Sequence, residues 1–242
     1  EDRVSPRSLA WVEVVGIPVC EGARRGLMQR WCLVVDGRAV WTGSTNMTWY
    51  AFARNNEIRL LRPSPTLAQG YAREFEALSG GQKEGLGQPV AFALEGVEGV
   101  AYFSPRGGRL AREALLKRLS EAQREVLVAA FVLTDREVLE ALLQARRRGA
   151  EVKVLLETRN LGTSREEALL EEGLEVRQDA NPYTMHHKVM LLDGTYVVTG
   201  SYNFSVRAHE VNNENLLVLK SPSLAERYRK EVLRLWEAGS PL

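Results

Sequence analysis

The chain has two cysteines in 242 residues, Cys20 and Cys32. That is too few for a disulfide scaffold or for a cysteine-rich tetrahedral zinc site, and the simplest reading is two partly buried thiols. It has three histidines, so any imidazole chemistry must come from His186, His187 or His209. A net charge of +1 leaves no global field to mark a nucleic-acid binder, although basic residues can still cluster locally. No apolar run is long enough to cross a bilayer, and Glu1-Asp2-Arg3 does not open a signal peptide. Neither absence fixes the compartment, which stays unknown.

What the chain does have is a copy of itself. Asp36-Gly37 followed by Thr42-Gly43-Ser44-x-Asn46 returns as Asp193-Gly194 followed by Thr199-Gly200-Ser201-x-Asn203, a constant offset of 157 residues. The same offset pairs Asn55-Asn56-Glu57 with Asn212-Asn213-Glu214, and Ser64-Pro65-x-Leu67-Ala68 with Ser221-Pro222-x-Leu224-Ala225. No gap is needed from Gly16 to Leu78, so one fold has been duplicated. We expect a first repeat over residues 1–79, a Gly-rich linker over 80–92 and a second repeat over 93–242.

The second repeat has a lead-in that the first lacks. Val100 to Phe103 reads as a strand, and Leu110 to Leu119 as a helix. Glu125 to Val132 reads as a buried strand. A capping box at Thr134-x-x-Glu137 opens a second helix that Gly149 closes, and Val152 to Leu156 is another strand. Strand–helix–strand–helix order predicts parallel neighbours with helices over the sheet. The counterparts of this lead-in would precede residue 1, so the first repeat is expected to be N-terminally incomplete.

The chemistry is concentrated in the second repeat. Lys188 to Leu192 is an apolar strand apart from Lys188, Asp193-Gly194 is a hairpin turn, and Tyr196 to Thr199 returns. Residues two apart share a strand face, so His186 and Lys188 project together, His187 points away, and the hairpin brings back Gly200, Ser201 and Asn203. Those residue types suit attack at phosphorus. Imidazole can form a phosphohistidine. Lys188 supplies positive charge, and Asn203 with the Ser201 hydroxyl adds donors. Gly200 permits close approach. Glu214 can hold the other imidazole nitrogen. Such a site needs no metal and no cofactor.

His186-x-Lys188-x4-Asp193-x6-Gly200-Ser201-x-Asn203 resembles the signature of the phospholipase D superfamily. Phe103-Ser104-Pro105, Ala145 to Val152 and Ser201-x-Asn203-Phe204-Ser205 make the second repeat similar to the small bacterial nucleases of that superfamily. The resemblance implies an α/β fold of two repeats related by a pseudo-two-fold, each a mixed, mostly parallel sheet flanked by helices. It implies His186 as nucleophile, Lys188 and Asn203 as phosphate ligands, Glu214 as the group orienting the imidazole, and Asp193 in support. In the first repeat Ser44, Asn46 and Glu57 are retained as candidate substrate-binding residues.

The family uses a second histidine as general acid. Here Gln29 stands opposite His186, Arg30 opposite His187 and Trp31 opposite Lys188. Three accounts are open: a second subunit of a homodimer supplies the acid, another acid or water serves at a slower rate, or the chain binds phosphodiesters with little turnover. Nucleic acid is the favoured partner and lipid the rival. Arg146-Arg147-Arg148 reads as complement to a helix C-terminus rather than a backbone track. His209 reads as a solvated loop residue. Trp41, Trp49 and Tyr50 could be core, a platform for bases, or a lipid-facing patch.

Overall fold

The structure, a computed structural model, describes residues 10–12, 14–20 and 26–242; Glu1-Asp2-Arg3 lies outside them. In the first repeat β1 (Cys32–Val35), β2 (Ala39–Gly43) and β3 (Arg59–Pro63) form an antiparallel sheet, with α1 (Trp49–Ala53) between β2 and β3 and α2 (Pro65–Ser79) after β3. The same run recurs 157 residues later as β9 (Lys188–Leu192), β10 (Tyr196–Gly200), α6 (Val206–Glu210), β11 (Asn215–Lys220) and α7 (Pro222–Ala238).

Local chemistry explains the repetition. Asp36-Gly37 and Asp193-Gly194 all have positive φ, between 52° and 62°, as a two-residue hairpin turn requires. The Ser64 and Ser221 side chains accept from the third N–H of the following helix, and proline opens each helix where no amide proton is needed.

The lead-in supplies β4 (Val90–Leu94), β5 (Val97–Phe103), α3 (Gly108–Glu121), β6 (Glu125–Ala130), α4 (Arg136–Arg147), β7 (Glu151–Leu156), α5 (Glu166–Glu171) and β8 (Glu175–Gln178). With β12 (Ser240–Pro241) they build a nine-stranded sheet in the order β12-β8-β7-β6-β9-β10-β11-β5-β4. The expected mostly parallel sheet needs correction, because only β6–β7 and β7–β8 run parallel. Those two connections carry helices; most of the other pairs are joined by tight hairpins or meet antiparallel, as β6 and β9 do. The helix after β6 also opens differently. Its cap is Asp135, which accepts from the Glu137 N–H and takes two hydrogen bonds from Arg112, and Thr134 is not the cap. The expected linker ends inside β4, and its Leu86 and Gly87 N–H groups are tied to the Glu74 carboxylate.

The sheet is buried on both faces, so its central strands read as unbroken apolar runs. Val126 and Val128 of β6 pack with Met190 under α3 and α4, while Leu127 and Ala129 face α7 with Val189. That second layer also takes Val40, Leu60, Leu67 and Tyr71, which fixes the first repeat onto the second. β1 differs from its counterpart β9. It pairs only with β2 among the described residues, whereas β9 lies between β10 and β6. Leu33 and Val35 are accordingly exposed, where Met190 and Leu192 are buried.

Candidate active site

The two repeats cross where the motif residues meet. Met28 pairs with Asn213 and Met185 with Asn56 in short parallel bridges. The His186 N–H donates to the Asn56 carbonyl at 2.9 Å, and the Gln29 N–H donates to the Asn213 carbonyl at 3.0 Å. These contacts exchange under the 157-residue offset, so a pseudo-two-fold passes between them. The first repeat presents its glutamate to the second. Glu57, from the first repeat, lies 3.1 Å from His186 Nδ1 through both carboxylate oxygens. This corrects the expectation for Glu214, whose carboxylate instead accepts from Ser201 Oγ and Asn212 Nδ2.

Each glutamate is held by a serine. Ser44 Oγ donates to Glu57 Oε2 at 2.5 Å, and Ser201 Oγ donates to Glu214 Oε2 at 2.7 Å. Each hydroxyl accepts the N–H of the residue after its glutamate, Ile58 or Asn215, at 3.0 Å. A hydroxyl has one proton to give. Ser201 and Ser44 thus serve carboxylates rather than a phosphate, another correction. Gly200 is also explained differently. A Cβ there would sit 2.3 Å from the Asn215 carbonyl oxygen, so it is the neighbouring strand that requires glycine, and Gly43 meets Ile58 in the same way.

His186 and Lys188 do share one site. Lys188 is buried, with Nζ donating to the His186 carbonyl at 2.9 Å and lying 4.7 Å from the centre of the Phe131 ring. Phe131 also packs edge-on against the imidazole. Burial pulls the Lys188 pKa down to about 7, against the pull of Glu57, Glu214 and Glu157. Burial and then the Lys188 charge lower the His186 pKa, with Glu57 opposing. The imidazole is therefore neutral at pH 7. With Nδ1–H donating to Glu57, the Nε2 lone pair is free to attack. Burial pushes Glu214 up to about 8, despite hydrogen bonds from Ser201 and Asn212. Asn203 is half-buried, with an Oδ1 that has no partner among the described residues, and Asn46 is half-buried at the matching position.

A family model described as "Cardiolipin synthase, PLD-like domain" matches residues 7–79 and 115–236, both repeats of this chain. The chain belongs to the phospholipase D-like family. It is 36% identical over 129 residues to a mitochondrial cardiolipin hydrolase of Xenopus laevis, covering 52% of this chain and 61% of that protein. It is 33% identical over 128 residues to a phospholipase D of Rickettsia typhi, covering 52% and 62%. The chain thus spans about three-fifths of the length of these curated relatives. Among solved structures, the phospholipase D family member Nuc of Salmonella typhimurium superposes with a TM-score of 0.55 at 29% identity, over 64% of this chain and 99% of Nuc. The phosphatidylserine synthase of Haemophilus influenzae superposes with a TM-score of 0.70 over 90% of this chain and 64% of the synthase, at 14% identity, which speaks to the fold alone.

Within this phospholipase D-like frame, other residues fall outside the reacting centre. Asp193 lies at the far end of β9, where its carboxylate accepts from the N–H groups of Gln123, Arg124 and Glu125 and ties the hairpin to β6. His187 points to the opposite face, buried 3.6 Å from Glu231. Its counterpart is Arg30, paired with Glu74 at 2.8 Å, so both repeats place a basic side chain and a carboxylate behind the site. His209 is not solvated, a further correction. It is buried in α6 with Nδ1 3.8 Å from Asp135, because α3 covers that helix. Arg148 donates to the Leu119 and Ala122 carbonyls at the end of α3.

Sequence reasoning missed Phe131 and Glu157. Glu157 follows β7 and accepts the Met185 N–H at 2.6 Å, fixing the approach to His186. A carboxylate closing an apolar strand was the available signal, since sites gather at strand C-termini in α/β folds.

Proposed function

We propose that this chain is a phosphodiesterase that attacks phosphorus with His186 and acts on nucleic acid. The carrying observation is a neutral imidazole, held through Nδ1 by Glu57, beside a buried Lys188 that has no carboxylate within ion-pair distance among the described residues. His186 Nε2 forms a bond to phosphorus as the P–O bond to the leaving group breaks. Lys188 and Asn203 carry the charge on the phosphoryl oxygens. With Gln29 where an acid would stand, the departing oxygen takes its proton from water. A second water then cleaves the P–N bond and frees the imidazole. Similarity of the second repeat to small bacterial nucleases supports nucleic acid as substrate. The 36% identity to a protein named mitochondrial cardiolipin hydrolase supports lipid as a second reading.

The test is incubation with single- and double-stranded DNA in EDTA, beside cardiolipin vesicles, with a His186→Ala control. We expect DNA cleavage that survives EDTA, disappears in the variant, and leaves an acid-labile phosphoryl group on His186 by mass spectrometry. Cleavage by His186→Ala would remove the nucleophile assignment. Turnover of cardiolipin alone would select the lipid reading.

The pH dependence follows from the same two groups. Log kcat/KM reports the free enzyme. It should rise as His186 loses its proton, below the ordinary histidine pKa of 6.5, and fall as Lys188 loses its own near about 7. The optimum therefore lies on the acid side of neutrality. Lys188→Arg, whose charge does not titrate, should lower the rate yet remove the descending limb. A profile that keeps that limb would place it on another group.

A further inference from the structure

Exposed apolar side chains of β1, α1 and the loop before α1 fall into two classes when set against their counterparts 157 residues on. Leu33, Val35, Met47 and Phe52 stand where Met190, Leu192, Phe204 and His209 are buried against α3, α4 and β6. These are core positions by design of the repeat. Trp49 and Tyr50 are not. They are 62% and 58% exposed, and their counterparts Val206 and Arg207 are exposed as well, so the repeat plan covers neither position.

These two rings border the site. Trp49 lies three residues beyond Asn46, and Tyr183 three residues before His186. Trp49 and Tyr50 meet edge-on at 5.3 Å, and Tyr50 lies 6.2 Å from Tyr183. The Arg54 guanidinium lies 5.5 Å from the Trp49 ring and 5.0 Å from the Tyr183 ring, with no carboxylate in ion-pair distance among the described residues. Asn181 Nδ2 ties this rim to the floor. It donates to the Arg54 carbonyl and to Asn56 Oδ1, and it is the Asn56 carbonyl that holds the His186 N–H.

Resting on the nucleic-acid reading above, we propose that Trp49, Tyr50, Tyr183 and Arg54 form a platform for single-stranded nucleic acid. The rings stack on bases next to the scissile phosphate, and Arg54 holds a neighbouring phosphate. Flat amphipathic rings accept any unpaired base, because every base has a π-face, and a duplex does not offer those faces. A bilayer is the less suited occupant. Anchoring there calls for aliphatic area around the rings and several cations. The exposed aliphatic residues Leu33, Val35 and Met47 stand at core positions, and Arg59 is spent on Thr45 Oγ1 and the Ala51 carbonyl.

The test compares wild type with Trp49→Ala/Tyr50→Ala for cleavage of a single-stranded oligonucleotide, a duplex of the same sequence and an abasic oligonucleotide of equal length. Binding of anionic phosphatidylglycerol vesicles is measured in parallel. The expected result is a KM for the single strand raised on the order of 10- to 100-fold, with kcat unchanged, the duplex little affected, and abasic DNA handled alike by both proteins. An unchanged KM for the single strand, or an equal loss on abasic DNA, overturns the platform while the nuclease reading stands. Loss of vesicle binding in place of DNA binding overturns it in favour of a membrane surface. Failure of wild type to bind or cleave any nucleic acid removes the nuclease reading, and the platform with it.

Discussion

Glu57→Gln is expected to lower kcat by about 10⁴-fold, the loss that follows when the carboxylate behind a catalytic imidazole becomes an amide. Glu57 accepts a hydrogen bond from His186 Nδ1 at 3.1 Å and is fixed by Ser44 at 2.5 Å. An amide can turn its NH2 group toward Nδ1, which favours the tautomer with the proton on Nε2 and removes the lone pair that attacks. It also withdraws the negative charge that balances the imidazole as the N–P bond forms. Glu214→Gln is the matched comparison. Burial holds Glu214 near a pKa of about 8, so at pH 7 it is mostly a neutral carboxyl that an amide imitates in charge and shape. Its rate should stay within about tenfold of wild type, since a lost hydrogen bond of that kind is typically worth about 0.5–1.5 kcal/mol. Steady-state kinetics on single-stranded DNA in EDTA measure both. The reverse ranking would put Glu214 on the nucleophile and remove the cross-repeat pairing.

That pairing marks the limit of what could be read from residues alone. The duplication, the Asp193-Gly194 hairpin and the shared face of His186 and Lys188 all depend on spacing within a few residues, and all are present in the structure. The partner of His186 depends on contacts across 129 positions, and the offset offered two equivalent glutamates without choosing between them. The choice is made by the bond from the His186 N–H to the Asn56 carbonyl, a backbone contact with no signature in side-chain type. Ser201 and Gly200 were assigned to phosphate for a related reason: the motif says they are required, but not whether substrate, carboxylate or neighbouring strand requires them. His209 reads as a loop residue in the sequence because a short polar helix resembles a loop until the helix packed over it is known. Its counterpart Phe52 was a usable hint, since an apolar residue at the equivalent position suggests cover. Phe131, set against both His186 and Lys188 by a loop hydrogen-bonded to Asn160, left no trace in the sequence.

Gln29→His should raise kcat on the order of 10²–10⁴-fold, the usual worth of a positioned general acid. The backbone at residue 29 is held as that of His186 is. Its N–H is held by the Asn213 carbonyl at 3.0 Å, as that of His186 is held by Asn56 at 2.9 Å. Glu214 is the counterpart of Glu57 under the 157-residue offset, and it is fixed by Ser201 as Glu57 is fixed by Ser44. An imidazole introduced there would meet a carboxylate on one nitrogen and present the other to the leaving oxygen across the pseudo-two-fold. Trp31 need not change with it, because in the proposed mechanism Lys188 supplies the phosphate cation. The carboxylate and the new imidazole should shift one another. Glu214, held high at about 8 by burial, gains a cationic neighbour that lowers its pKa, and the ionised carboxylate in turn raises that of the imidazole. The acid is active only while protonated, so the gain should be largest at low pH and fade as pH rises through the imidazole pKa. A rate–pH comparison of the variant with wild type shows this as a ratio that falls with pH. A ratio near one at every pH would mean that protonation of the leaving group does not limit this chain, and that Gln29 replaced a histidine without cost.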